Sequence, residues 1–238
     1  MPNKILVKEM QVSEPQNILS ADQKSSVHEN SFFADDLHQM ANAVNYRRWQ
    51  LDLISPYIHG KVLEIGGGIG NFTADLAGLA ESVVSIEPNM YCYSQLTEKV
   101  SSLTNVTALN IDAESLANSL PKGFFADTVV CMNVLEHIQD DVSAVGYFTR
   151  LLRTGGRIII LVPAVPAAFG VIDERLGHFR RYSKHRLTTL LTSSGFTLEK
   201  IKFFNLIGLL GWWWNARVSR RKNQSDIQIR FFDRFLVK

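Results

Sequence analysis

The chain has 238 residues, 46% hydrophobic and 20% charged, and its 25 Lys and Arg against 23 Asp and Glu leave a net charge of +2. That is an ordinary soluble composition, able to bury one substantial core in one domain with appendages. It has no apolar run of the roughly 18 to 20 residues that a transmembrane helix needs, its polar first 30 residues lack the basic-then-apolar order of a signal peptide, and Cys92 and Cys131 make neither a disulfide framework nor a metal-ligand cluster. The expectation is therefore a cytoplasmic protein with no metal.

In chain order, residues 1–30 form a polar tail without a sustained period. Over 31–58, Phe33, Leu37, Met40, Ala43, Val44, Tyr46, Trp49, Leu51 and Ile54 recur at mostly helical intervals and Pro56 ends the pattern, which predicts a helical lid. Strands are predicted near 61–65, 82–87, 105–109, 125–132 and 156–163, with helices near 69–79, 90–102 and 140–152 between them. Such alternation implies an α/β fold over 59–205, a doubly wound, mostly parallel sheet with helices on both faces. A sixth strand is predicted over 196–204, and 206–238 is a basic, aromatic extension.

Charge is spread unevenly along this order. Residues 1–174 carry 11 Lys or Arg against 20 Asp or Glu, and residues 175–238 carry 14 against 3. The basic C-terminal quarter either attracts an anionic partner or is a solvated face balancing an acidic body, and the second reading is favoured. Nucleic acid is the weakest partner class, because the nearby aromatics form one apolar block instead of alternating with the charges.

The run Val62-Leu63-Glu64-Ile65-Gly66-Gly67-Gly68-Ile69-Gly70-Asn71-Phe72 joins an apolar strand to a helix through glycines led by an acid. Gly66, Gly68 and Gly70 permit positive φ and close backbone approach to a ligand, and the following helix points its free N–H groups into the same crevice. Glu87 ends the next apolar run, about where an acid would meet a ribose. A dinucleotide fingerprint would require glycine where Asn71 stands, so the spacing disfavours NAD. Ligands of such sheets sit outside the carboxyl ends of the strands, where Glu64, Glu87, Asp112 and Asn133 all fall.

The glycine pattern resembles motif I of the class I S-adenosylmethionine (SAM) dependent methyltransferases. The resemblance continues through Glu87, Asn110-Ile111-Asp112-Ala113, the run from Val129 to His137, and the glycine turn of Leu151 to Ile160, so that it spans roughly residues 45–205. It implies a SAM-dependent methyltransferase with Glu87 on the ribose hydroxyls, Asp112 on the adenine amino group beside Ala113, and Asn133 after the fourth strand. Glu64 would anchor the loop and the positive end of the cofactor's amino acid, and Pro88 would give adenine an apolar edge. Tyr46 is either an aromatic over the methionine moiety or a core tyrosine. Asp112 can also cap the turn that starts at Ala113.

Methyl transfer from SAM needs mainly alignment and exclusion of water, with a base only for acceptors that must lose a proton. The candidates for that base are His137 and His178. The equivalent of His137 in the family often supports the loop from beneath, whereas His178 lies in the excursion that helps build the acceptor pocket. The run Gly177-His178-Phe179-Arg180-Arg181-Tyr182 resembles a subgroup of small bacterial methyltransferases with a GHxRRY motif. Arg180, Arg181 and Tyr182 could grip an anionic group of the acceptor beside His178, with Phe169, Leu176 and Phe179 as an apolar wall; alternatively the arginines pair with Asp173 or Glu174 to fold the loop down.

The expected acceptor is a small, partly apolar molecule methylated on oxygen or nitrogen, in specialised metabolism. A lipid or membrane-surface acceptor and a non-catalytic SAM-binding protein are the alternatives. Trp212, Trp213 and Trp214, followed by Arg220-Arg221-Lys222, could touch a membrane, but a pocket wall or a dimer contact is preferred. A class I sheet usually ends with a seventh strand, and either 227–231 supplies it or the chain is truncated before it, leaving a sheet edge exposed.

Overall fold

The computed structural model describes residues 37, 38, 40–119, 126–205 and 233. The polar tail, Phe33, the three tryptophans, the basic triplet and the candidate strand at 227–231 lie outside the described residues.

Helix α1, Val44–Ile54, lies within the segment expected to be helical and passes into a single 3-10 turn at Ser55–Tyr57 that holds the breaking Pro56. Five strands follow: β1 Lys61–Ile65, β2 Ser82–Ile86, β3 Val106–Leu109, β4 Ala126–Met132 and β5 Leu152–Leu161. All pair in parallel in the order β3-β2-β1-β4-β5. Their connections hold α2 Thr73–Ala77, α3 Met90–Val100, α4 Ala113–Ser119 and α5 Asp141–Leu151. Beyond β5 come α6 Val171–Arg175 and α7 Lys184–Ser193.

Alternation within the strands explains why both sheet faces are covered. Leu63, Ile65, Ile86, Val129 and Cys131 point into one core with Ala113, Leu116, Ala144, Val145, Phe148 and Leu190. Their sequence neighbours Val62, Val83 and Val130 point into the other, with Ile54, Ile58, Leu76 and Ala77. Side chains on a strand face opposite ways at each step, so an apolar run with no polar alternation fits only a strand sandwiched on both faces. This is the doubly wound architecture expected from the sequence.

Two expectations need correction. The first connecting helix begins at Thr73 instead of 69, because Gly68 and Gly70 have φ of +55° and +78°, a left-handed backbone that no α-helix contains. The sixth strand over 196–204 does not form, and 196–205 has no regular structure. Side chains dock this segment instead of a β-ladder. Phe204 stacks on Tyr46 with centroids 6.0 Å apart and meets Trp49 edge-on at 5.1 Å, while Glu199 pairs with Arg157 of β5 at 3.1 Å and Lys200 Nζ donates to the Tyr57 hydroxyl at 2.6 Å. Among the described residues β5 is thus an edge strand.

Phe148 is wholly buried where α5 meets the sheet. Phe148→Ala is expected to lower the unfolding free energy by about 3–5 kcal/mol in urea titration.

Candidate active site

The carboxyl ends of the strands open into a cleft of about 1630 Å³. It is larger than the roughly 300–1,000 Å³ of a typical single-ligand pocket and so has room for two reactants side by side. Glu64, Gly66, Gly68, Glu87, Pro88, Asp112, Ala113, Asn133, Tyr46, His137, His178, Arg181 and Tyr182 all line it; Gly70, Phe169 and Arg180 do not.

At one end, the glycine turn is strapped to β2. Gly66 and Gly67 N–H groups both donate to the Ile86 carbonyl, at 2.9 and 3.0 Å. Glu64 Oε2 accepts from Thr73 Oγ1 and Ser85 Oγ, each at 2.6 Å, and so ties the strand before the turn to the helix after it and to the neighbouring strand. Burial raises the Glu64 carboxyl above its ordinary value, against those two hydrogen bonds. A Cβ on Gly67 would lie 2.2 Å from Ser85 Oγ, and one on Gly66, at φ +71°, would lie 2.4 Å from a Val134 methyl. The bare backbone is therefore required for the turn to pass between β2 and the end of β4.

Glu87 accepts from Gly68 N–H with one oxygen and from Asn89 N–H with the other, both at 2.9 Å. A carboxylate oxygen has two lone-pair directions, so this grip orients Glu87 and leaves acceptor capacity on both oxygens. Burial raises its carboxyl too, outweighing the two backbone bonds. Asp112 caps α4 through Ser115 N–H at 2.7 Å and is exposed at the cleft wall. Asn133 sits at φ +55° just past β4, a conformation that asparagine tolerates better than most residues.

The opposite end is organised by two acids. Asp173 is fully buried. Its Oδ1 accepts from His178 Nδ1 at 3.0 Å and Arg181 Nε at 2.8 Å, and its Oδ2 caps α6 through Gly170 N–H at 3.0 Å. Asp141 Oδ2 accepts from the Tyr182 hydroxyl and Arg186 Nη2, both at 2.9 Å, and pairs with Arg180 Nη1 at 3.2 Å. Arg180 also donates to the Ile138 and Gln139 carbonyls, at 2.7 and 2.6 Å.

These contacts revise part of the expected acceptor grip. Arg181 pairs with Asp173, which is the loop-folding alternative. Arg180 spends its guanidinium on Asp141 and two backbone carbonyls and does not line the cleft, so it is not placed to hold an acceptor. Tyr182 is only 2% exposed, and burial, with Asp141 beside it, lifts its phenol well above the ordinary range, which removes it as a proton carrier near neutral pH. Phe169 also falls outside the cleft wall, and Phe179 is half exposed to solvent.

His137 and His178 meet ring edge to ring face, with centroids 4.6 Å apart. His137 is held by the backbone carbonyls of Gly177 and Leu176, in keeping with a loop-supporting role, and burial with the neighbouring His178 pushes its pKa down to about 4. Glu136 packs beneath both. It is fully buried, and burial lifts its carboxyl to about 7 against its own backbone hydrogen bond and the nearby His178. The sequence reading missed Glu136. Its signal was a charged residue on the buried side of the turn after β4.

Comparison with known proteins identifies the family and the fold. A family profile described as "Methyltransferase domain" matches residues 28–201, and the chain belongs to that family. Its fold is that of the class I, SAM-dependent methyltransferases. Over 120 residues it is 35% identical to a ubiquinone biosynthesis O-methyltransferase of Methylococcus capsulatus, covering 49% of each chain. Over 178 residues it is 28% identical to a protein of the same name from Xanthomonas euvesicatoria, covering 68% of this chain and 71% of that one. The chain thus spans about half the length of the first relative. A solved SAM-dependent methyltransferase from Archaeoglobus fulgidus shares the fold with a TM-score of 0.57 at 21% identity, over 69% of this chain and 73% of that one. Among the described residues no helix is long and apolar enough to cross a membrane.

The residues present fit the cofactor. The turn has no room for side chains, and the donor and acceptor set at the four strand ends matches an adenosyl group bearing a diol and an amino acid. Asp141 supplies a separate check on the other half of the cleft. Burial pushes its carboxyl up, but the hydrogen bonds from Arg186 and Tyr182 and the Arg180 charge outweigh burial and hold it below the usual carboxylate range. Because the folded value is the lower one, its stabilisation is complete above about pH 4, the unfolded carboxylate value, and is lost as pH falls through the folded value. Asp141→Asn is therefore expected to cost about 1–3 kcal/mol at pH 7 and to flatten the loss of stability on acidification, as read by urea unfolding at a series of pH values.

Proposed function

We propose that the protein transfers a methyl group from SAM to a hydroxyl oxygen of a small, partly apolar molecule. The observation that supports this reading most is the division of the cleft. A backbone-built, acid-lined end lies at Glu87 and the glycine turn, Glu136, His137 and His178 gather at the other, and the apolar strand residues Ile158 and Ile160 are also in the cleft wall. The name of the relatives, O-methyltransferases of ubiquinone biosynthesis, favours oxygen over nitrogen.

In this reading Glu87 accepts from both ribose hydroxyls while Gly68 and Asn89 keep its carboxylate aimed. Asp112 takes the adenine amino group, with Ala113 and Pro88 against the ring. Glu64 holds the turn, Asn133 closes it near the cofactor's amino acid, and Tyr46, stacked on Phe204, walls the methionine side. Bound SAM supplies a methyl on a positively charged sulfur that leaves as a neutral thioether. The chain's own work is to align the acceptor with that methyl, to exclude water, and to take the hydroxyl proton at the histidine end, where Asp173 fixes the orientation of His178.

Calorimetric titration tests both ends. Glu87→Ala removes two charged hydrogen bonds to the ribose and is expected to weaken SAM binding by at least ~10-fold. His178→Ala is expected to cut turnover by about 10²–10⁴-fold with SAM affinity near that of the unaltered protein. Equal loss of binding and turnover in His178→Ala would assign that residue to the fold, and unchanged SAM binding in Glu87→Ala would remove Glu87 from the cofactor site.

A further inference from the structure

We infer that Glu136, His137 and His178 bind one divalent transition-metal cation at the floor of the cleft, with an open coordination position toward the proposed acceptor. Binding of the cation stands on its own geometry; its part in methyl transfer rests on the reading given above.

A bare carboxylate oxygen points to the site. Glu136 is 0% exposed and, among the described residues, its Oε2 has no hydrogen-bond partner, while Oε1 accepts a long 3.3 Å bond from Asn133 Nδ2 and the carboxylate also meets its own backbone N–H. An unpartnered buried acceptor costs about 1–3 kcal/mol or more, so a positively charged or donating group belongs beside it. The two histidines are the neighbours. One ligating atom each from Glu136, His137 and His178 lies within 4.8 Å of the others. Small side-chain rotations would bring all three to the roughly 2.0–2.2 Å bond lengths of a zinc-type centre.

Both rings are already held by hydrogen bonds of the kind that orient metal-bound histidines. His178 Nδ1 is bonded to Asp173 at 3.0 Å, and Asp173 is itself held by Arg181 at 2.8 Å, which leaves His178 Nε2 for a ligand. His137 donates to the carbonyls of Leu176 and Gly177. Metal-bound histidines nearly always give their second N–H to a carboxylate or a backbone carbonyl, which fixes the tautomer and the ring plane. Two imidazoles with one carboxylate suit Zn²⁺, Co²⁺, Fe²⁺ or Mn²⁺ better than Mg²⁺ or Ca²⁺. Three protein ligands leave a fourth position, and all three residues line the cleft.

With the cation bound, His178 serves as a ligand in place of the proton-accepting role given above, and an acceptor hydroxyl in the fourth position would lose its proton to solvent at neutral pH, because the cation stabilises the oxyanion. The oxygen then forms the new bond to carbon as the methyl–sulfur bond breaks, with that electron pair staying on sulfur. The cation keeps its oxidation state throughout. The expectation of a metal-free protein was drawn from cysteine usage, which does not register a site built from the adjacent Glu136 and His137 and the distant His178.

The test uses the full chain stripped of metal with a chelator. Zn²⁺ titration by calorimetry is expected to give one cation per chain, and Co²⁺ to give visible absorption bands of a four-coordinate centre. Glu136→Gln, which keeps the side chain's shape, and His178→Ala are each expected to weaken Zn²⁺ binding at least ~10-fold with circular dichroism unchanged, while the exposed His185→Ala leaves it as it was. Absence of Zn²⁺ binding overturns the inference, as would binding that survives both substitutions, which would mark adventitious surface zinc. Stripped protein that methylates an acceptor at full rate would overturn the cation's role and leave the methyltransferase reading intact. Stoichiometric Zn²⁺ lost in Glu136→Gln, without methyl transfer to any acceptor, would uphold the site and count against the proposed acceptor.

Discussion

The Glu64 carboxylate is the constraint on which the cofactor end depends. It is buried inside the sheet and raised in pKa by burial, and its two 2.6 Å hydroxyl bonds give it a place. Thr73 and Ser85 are both fully buried, so either hydroxyl would be an unsatisfied donor without it. With β1, β2 and the start of α2 tied at that point, the glycine turn has one course, against the end of β2. Gly68 N–H then meets Glu87. The positive φ values of Gly66, Gly68 and Gly70 and the absence of their side chains follow from that course.

The other half of the cleft is made differently. The turn after β4 and the excursion after β5 contain little regular structure, and Asp141 and Asp173 each gather cations and hydroxyls from several segments to fasten them. Most of the polar run from His178 to Tyr182 is spent on this fastening. The exception is His178, whose second ring nitrogen remains toward the cleft. Glu136 lies beneath it without a full set of partners, in a region where every other buried acid has at least two. The contrast between satisfied hubs and one unsatisfied carboxylate separates structure from proposed chemistry here.

Much of the fold was legible in the sequence. Mostly apolar runs such as Ser82–Ile86 and Ala126–Met132 read as strands covered on both faces, and the acids at strand ends fell at one crevice because the sheet is parallel. The glycine turn was legible because backbone geometry dictates residue type there. Helix α7 was not singled out, although Ser183 caps it and Leu187, Leu190 and Leu191 mark its buried face. The segment 196–204 read as a strand from its apolar content, yet Phe204 packs on α1 and Phe196 on the sheet's core, a choice set by tertiary contacts and not by local pattern. The acceptor end was the least legible. A charged residue's partner is fixed by three-dimensional neighbours, so Arg180 and Tyr182 looked like ligand groups until Asp141 was seen beside them, and Glu136 looked like part of a motif.

The central claim is that one cleft binds SAM through the strand-end acids with its methyl directed toward the Glu136, His137 and His178 group. A crystal structure of the protein with S-adenosylhomocysteine tests it most directly. The account predicts both ribose hydroxyls on the Glu87 carboxylate, adenine beside Asp112, and the thioether sulfur on the side of the cleft that holds His178. A ligand bound elsewhere, or one whose sulfur faces away from His178 with Glu87 still turned only to Gly68 and Asn89, would contradict it.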